Sequence, residues 1–242
     1  MLNLNEIHCI DCLEGLKLLE DNSINTIITS PPYNKKGLDK RLNVFSDKKT
    51  WKKYQINYLE YDDNMPEDEY QKWQILILNE CWRVLKDNGS MFYNHKIRRM
   101  NNKSYFPYDF VSKSKFNIYQ LITWNRGSTP NIHKNILYPT TEQIFWLTKN
   151  NKSPKVFKKN IPLEFQKEVW NIGIAKPNKN HPAPFNSIVP ELCIKLTTEE
   201  NDIVLDPFAG IGTTLIEAKK LNRNFIGFEI TKNYIDLFKE SK

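Results

Sequence analysis

The sequence predicts an α/β fold: a mostly parallel central sheet with helices on both faces. Three observations carry that reading. Short runs rich in Ile, Val, Phe, Leu and Trp recur along the chain, and helical patterns lie between several of them. The runs are nearly continuous in apolar residues rather than alternating, as expected for strands covered on both sides. Polar, prolyl and glycyl residues gather just after two of the runs, at 30–34 and 206–212.

In chain order, the strand segments are 24–29, 90–94, 118–124, 143–148, 203–206 and 224–229. The segment 67–85, EDEYQKWQILILNECWRVL, has apolar residues at helical spacing and is expected to stop at Asn88-Gly89. Its apolar and aromatic stripe reads as core. Further helices are expected at 186–196, 213–221 and 233–239. Two segments break the rhythm. Residues 35–61 interleave Lys35, Lys36, Lys40, Arg41 and further lysines with Phe45, Trp51, Tyr54 and Tyr58. Residues 150–180 are polar, basic and punctuated by proline, with one apolar patch at 165–174.

A chain of 242 residues buries about three quarters of its unfolded surface and needs no covalent staples. We read it as one domain, 1–242, with a basic loop insertion at 35–61. The net charge of +7 and pI of 9.0 are compatible with a polyanionic partner. Cys9-Ile-Asp-Cys12 has the spacing of half a zinc site, but no second close Cys/His pair follows, so reduced thiols and no metal are expected. His8, His95 and His133 have no ligand partners at useful spacing. With no charged-then-apolar leader and no apolar 18-mer, the expectation is a cytoplasmic protein with no membrane partner.

The most informative stretch is DIVLDPFAGIGTTLIEAKKLNRNFIGFEI, 202–230. A buried strand runs into a loop with Gly210 and Gly212, then into a helix starting near Thr213 and Thr214. Asp206, Pro207 and Phe208 stand at the strand's carboxyl edge, where open α/β sheets bind ligands. The glycines permit positive φ and close approach of backbone to a ligand. Glu229 ends the next strand nineteen positions after Gly210, close to the spacing at which an acid reaches ribose hydroxyls. An acid ahead of only two glycines would repel a pyrophosphate. It suits an ammonium instead, such as the amino group of S-adenosylmethionine.

DPFAGIGTT with Glu229, together with the upstream TSPPY (29–33), resembles the amino-methylating DNA methyltransferases of the β arrangement, in which the catalytic motif precedes the cofactor motif. HPAPFNSIVPELCIKL (181–196) resembles the family's segment that closes over the methionine part of the cofactor, which would place Pro184 and Phe185 there and give His181 a structural part. VLKDNGSMFY (84–93) resembles its central helix-turn-strand. HCIDCLEGLKLLEDNSINTIITSPPY (8–33) resembles its N-terminal region, where an Asp matching Asp11 contacts adenine. The resemblance implies a Rossmann-like S-adenosylmethionine-dependent fold, double-stranded DNA as substrate, and a place beside a cognate restriction endonuclease; it leaves room for a homodimer. It also makes 150–180 the candidate target-recognition segment and 35–61 a loop that could close on phosphates.

TSPPY then acquires a chemical meaning. The lone pair of an exocyclic base amine is delocalised into the ring, so the amine is a poor nucleophile. Acceptors for both N–H protons would localise that lone pair, and Ser30 Oγ and the Pro31 carbonyl are suitable. Pro31 and Pro32 fix the direction of the turn. Tyr33 is expected to stack on a base flipped out of the duplex. Through the resemblance, Ser at the first motif position favours cytosine N4, with adenine N6 the alternative. Arg126, ending a strand on the same edge, is a DNA-contact candidate without a catalytic role. A rival reading is a non-catalytic nucleic-acid-binding subunit, but Ser30, Pro31, Pro32, Tyr33, Gly210 and Gly212 are all intact.

Overall fold

The computed structural model describes residues 2–34, 65–100, 102–129, 134–149, 153–174 and 185–240. The basic insertion expected at 35–61 lies outside the described residues, as do Pro184 and His181. The described elements are β1 (Glu6–Cys9), α1 (Cys12–Lys17), β2 (Ile24–Thr29), α2 (Glu67–Val84), β3 (Leu85–His95), β4 (Arg98–Met100), β5 (Lys103–Tyr105), α3 (Tyr108–Val111), β6 (Asn117–Asn125), β7 (Thr141–Thr148), β8 (Val169–Asn171), α4 (Ile188–Thr197), β9 (Ile203–Asp206), α5 (Thr213–Lys220), β10 (Asn224–Glu229) and α6 (Lys232–Glu240).

Eight strands form one sheet in the order β1-β10-β9-β2-β3-β7-β6-β8. The run from β1 to β3 is parallel throughout. β7 is antiparallel to both β3 and β6, and β8 returns parallel to β6. The expected mostly parallel α/β sheet is therefore present, with one antiparallel hairpin inserted.

Both faces are covered because neighbouring residues on each central strand enter different cores. Ile28, Phe92, Val204 and Phe225 join Leu192 of α4, Leu215 of α5 and Ile235 of α6. Ile27, Met91, Leu205 and Ile226 join Leu16 of α1, Tyr70 of α2 and Phe110 of α3. Period-two side-chain direction on strands that are apolar at consecutive positions produces this two-sided burial. No helix among the described residues is long and apolar enough to cross a membrane.

Two local expectations change. Helix α2 stops at Val84, and Asn88-Gly89 lies within β3, not at a helix end. Fully buried Leu85 already pairs with Ile24, and the register then jumps so that Thr26 faces Ser90. The residues between bulge out, and a Cβ on Gly89 would come within 2.8 Å of the Asn25 carbonyl oxygen. In the segment 150–180, the apolar patch supplies edge strand β8, which inserts Trp170 beside Ile172 in the core. At least that part is anchored structure.

Candidate active site

The carboxyl ends of β1, β10, β9, β2 and β3 share one edge of the sheet, and β7 begins on that edge because it runs the opposite way. Asp206 ends β9, and the loop after it turns through Gly210 (φ +53°) and Gly212 (φ +79°), both left-handed, into α5. Gly212 is obligatory: a Cβ there would lie 2.4 Å from Phe238. A Cβ on Gly210 would meet nothing within 4 Å, so this backbone borders open space.

The acids on this edge brace the loop. Asp206 is 4% exposed; its Oδ1 accepts from Thr29 Oγ1 at 2.8 Å and from the Phe208 N–H at 3.1 Å. Burial pushes its carboxyl up to about 6, against the lowering effect of Thr29, the Phe208 N–H and Thr214. Glu229 accepts from the Gly210 N–H at 2.9 Å and from the Thr231 N–H at 2.8 Å, and burial raises its carboxyl too. Pro207 and Thr214 are buried, while Phe208 and Thr213 are half-buried, with Phe208 edge-on to Trp73. Asp11 stands one residue beyond Ile10, whose N–H bonds to the Glu229 carbonyl; its side chain caps α1 through Leu13 N and Glu14 N. Phe185 packs edge-on against Trp124 at the end of β6.

On the neighbouring strand, Thr29 ends β2 and Ser30 begins the proline turn. Helix α2 fastens that turn from below: Tyr70 Oη donates to the Pro32 carbonyl at 2.7 Å. Tyr33 departs from expectation. Its ring is only 8% exposed and lies against His95, with ring centroids 4.5 Å apart, so it presents no open face for a base in this conformation. Its hydroxyl points into a polar cluster. Ser30 Oγ is 2.6 Å away, Asn94 Nδ2 donates to it at 2.8 Å, and it donates to Glu142 Oε2 at 3.1 Å. Burial first, and then the Glu142 charge, raise the phenol well above its usual range, so it stays protonated.

Asn94 and Glu142 went unremarked in the sequence, and Arg126 has a different place from the one expected. Asn94 ends an apolar run, Glu142 opens another, and only the register of β3 against β7 brings them together. Asn94 Nδ2 donates to Glu142 Oε2 at 2.7 Å, and Arg126 Nη1 donates to Glu142 Oε1 at 2.9 Å. Arg126 is thus turned inward onto a buried carboxylate. The structure therefore brings Ser30, Pro31, Pro32 and Tyr33 to the same edge as Asp206, Gly210, Gly212 and Glu229.

The sequence pattern described as DNA methylase, covering N6 and N4 methyltransferases, matches residues 24–240. The type II methyltransferase M.BglII of Bacillus subtilis is 32% identical over 269 residues, covering 97% of this chain and 68% of its own. M.HpaI of Haemophilus parainfluenzae is 32% identical over 262 residues, covering 96% and 72%. Among solved structures, the PvuII cytosine-N4-specific DNA methyltransferase superposes with a TM-score of 0.76 at 21% identity, over 96% of this chain and 84% of that one. The M1.HpyAVI complex with SAM superposes with a TM-score of 0.63 at 23% identity, over 97% of each chain. The chain belongs to the N6/N4 DNA methylase family.

Proposed function

We propose that this chain transfers a methyl group from S-adenosylmethionine to the exocyclic amine of a base flipped out of duplex DNA, cytosine N4 being the base and adenine N6 the alternative. One observation carries the reading: Ser30 stands next to Thr29, whose hydroxyl is bonded to Asp206 at the head of the glycine loop. An acceptor for the amine and the loop of a nucleotide-type site are thereby neighbours on one sheet edge.

The residues suit S-adenosylmethionine. Gly210 leaves open space beside Glu229, the acid placed to meet ribose hydroxyls. A buried carboxylate pushed up to about 6 gains from a nearby ammonium, and Asp206 is that group. When bound, the cofactor supplies an electrophilic sulfonium methyl. The protein's share is to hold the amine by its N–H protons, with Ser30 Oγ as one acceptor, and to keep the turn rigid through Pro31, Pro32 and the Tyr70 bond.

Ser30 supports cytosine, through the resemblance at the first motif position. The relatives named as type II methyltransferases support a modification role beside a restriction enzyme. Incubating the purified protein with tritiated S-adenosylmethionine should label duplex DNA more than RNA, and nucleoside analysis should show N4-methylcytosine. N6-methyladenine would select the alternative, and preferential labelling of RNA would reject the DNA reading. Ser30→Ala should largely abolish turnover with cofactor affinity near wild type.

A further inference from the structure

We propose that Glu142 sets the direction of the hydrogen bonds behind Ser30, so that Ser30 Oγ meets the substrate amine as an acceptor. This rests on the reading of Ser30 as the amine-facing group.

An ionised carboxylate only accepts, and a phenol has one proton to give. Glu142 Oε2 receives Asn94 Nδ2 at 2.7 Å and Tyr33 Oη at 3.1 Å, while Arg126 Nη1 holds Oε1 at 2.9 Å. Two oxygens facing each other at 3.1 Å with no proton between them would repel, so the Tyr33 proton lies toward Glu142. The 2.6 Å contact between Ser30 Oγ and Tyr33 Oη must then be a donation from Ser30. Asn94 Nδ2, 2.8 Å from the Tyr33 oxygen, can only donate to it and reinforces the same direction. With its proton spent on Tyr33 and one lone pair taking only a long 3.4 Å donation from Asn94 Nδ2, Ser30 meets an incoming N–H as an acceptor. If the group at 142 could donate, Tyr33 could turn its own proton toward Ser30. The serine hydroxyl would then be free to donate to the amine nitrogen, occupying the lone pair that must attack.

The ion pair is hard to explain by stability alone. Arg126 and Glu142 side chains are 17% and 8% exposed, and a buried pair of this kind is often no better for the fold than an apolar pair of similar volume. Its position behind the serine gives it a task. Glu142 is thus a positioning residue acting through Tyr33, with Arg126 orienting the carboxylate and offsetting its charge.

The test is a double-mutant cycle on single-turnover methyl transfer to duplex DNA. Glu142→Gln should slow transfer about 10- to 100-fold, with the dissociation constants for S-adenosylmethionine and DNA within about twofold of wild type. Glu142→Asp, which keeps an acceptor-only group, should recover part of the rate. In a Tyr33→Phe background the Glu142→Gln change should add little further loss, because the hydroxyl that relays it is gone. Losses that multiply in the double variant, or a Glu142→Gln enzyme within twofold of wild type, would overturn the proposal. If Glu142→Gln does not fold, Tyr33→Phe alone decides: a 10- to 100-fold slower rate at unchanged cofactor affinity is expected, and an unchanged rate overturns it. A wild-type protein that methylates no DNA refutes the functional reading and this proposal together. An active wild type with an unimpaired Glu142→Gln variant refutes this proposal alone.

Discussion

Thr29 Oγ1 donates a 2.8 Å hydrogen bond to Asp206 Oδ1, tying the last residue of β2 to the last residue of β9 across 177 positions of sequence. The bond is buried, and Ser30 follows Thr29 directly, so the serine-proline turn is held against the start of the glycine loop. Thr29→Val keeps the shape and removes the donor, leaving a buried carboxylate less well bonded. We expect a loss of about 1–3 kcal/mol in stability and weaker S-adenosylmethionine binding. Thermal denaturation with and without the cofactor checks this; an unchanged midpoint and affinity would show the bond to be dispensable.

Asp206 should make the ligand-free protein less stable as pH rises. Burial raises its folded-state value from 3.8 to about 6, so the unfolded chain ionises first. Stability is lost as pH climbs from about 4 to about 6 and stays lost above that, by up to about 3 kcal/mol. Asp206→Asn removes this cost while keeping an oxygen for Thr29 and the Phe208 N–H. The variant should melt higher than wild type at pH 7.5, with the gain gone at pH 4, and should bind S-adenosylmethionine more weakly because the charge is missing. Melting curves at the two pH values and calorimetric titration measure both effects.

Strands β2, β9 and β10 were legible to the residue, because central parallel strands are apolar without interruption and end abruptly in polar turns. Strand β1 was not: EIHC offers only Ile7 to the core, and its existence depends on pairing with β10. Helix α1 left a readable signal, Asp11 with Glu14 three positions on, which is a capping pattern. The SPPY turn and the glycine loop were visible as motifs because their chemistry is local. The Glu142–Asn94–Tyr33 cluster was not, since an acid opening an apolar run looks like an ordinary strand edge. Only the order β2-β3-β7 places it behind Ser30.

The two loop glycines should fail in different ways. At Gly212, Ala meets both a left-handed backbone and the Phe238 ring at 2.4 Å, so Gly212→Ala should cost about 2–4 kcal/mol through strain and overpacking. At Gly210 the space is open, so Gly210→Ala should cost only about 1–2 kcal/mol from its positive φ. Its methyl group would project where we place the cofactor. Denaturant unfolding should therefore rank Gly212→Ala as the less stable variant. S-adenosylmethionine titration should show Gly210→Ala impaired well beyond its stability loss; equal affinity to wild type would move the cofactor away from Gly210.

Asn34 closes the base of the lysine-rich segment. Its backbone is left-handed (φ +54°), its side chain is buried, and its amide bonds the Met65 backbone in both directions: Nδ2 donates to the carbonyl at 2.9 Å and Oδ1 accepts from the N–H at 2.8 Å. The chain thus departs after Asn34 and returns beside it, whatever path 35–64 takes. Asparagine is suited to this place because it tolerates the left-handed region and its side chain imitates a peptide group. Asn34→Ala loses both bonds and that tolerance, for an expected cost of about 2–4 kcal/mol. If the lysines of 35–53 neutralise phosphates, freeing the base of their segment should weaken duplex binding and flatten its dependence on salt, since fewer counterions are released. S-adenosylmethionine affinity should stay near wild type because the glycine loop is untouched. DNA affinity measured across a salt series decides the matter, and an unchanged slope would remove the segment from the DNA interface.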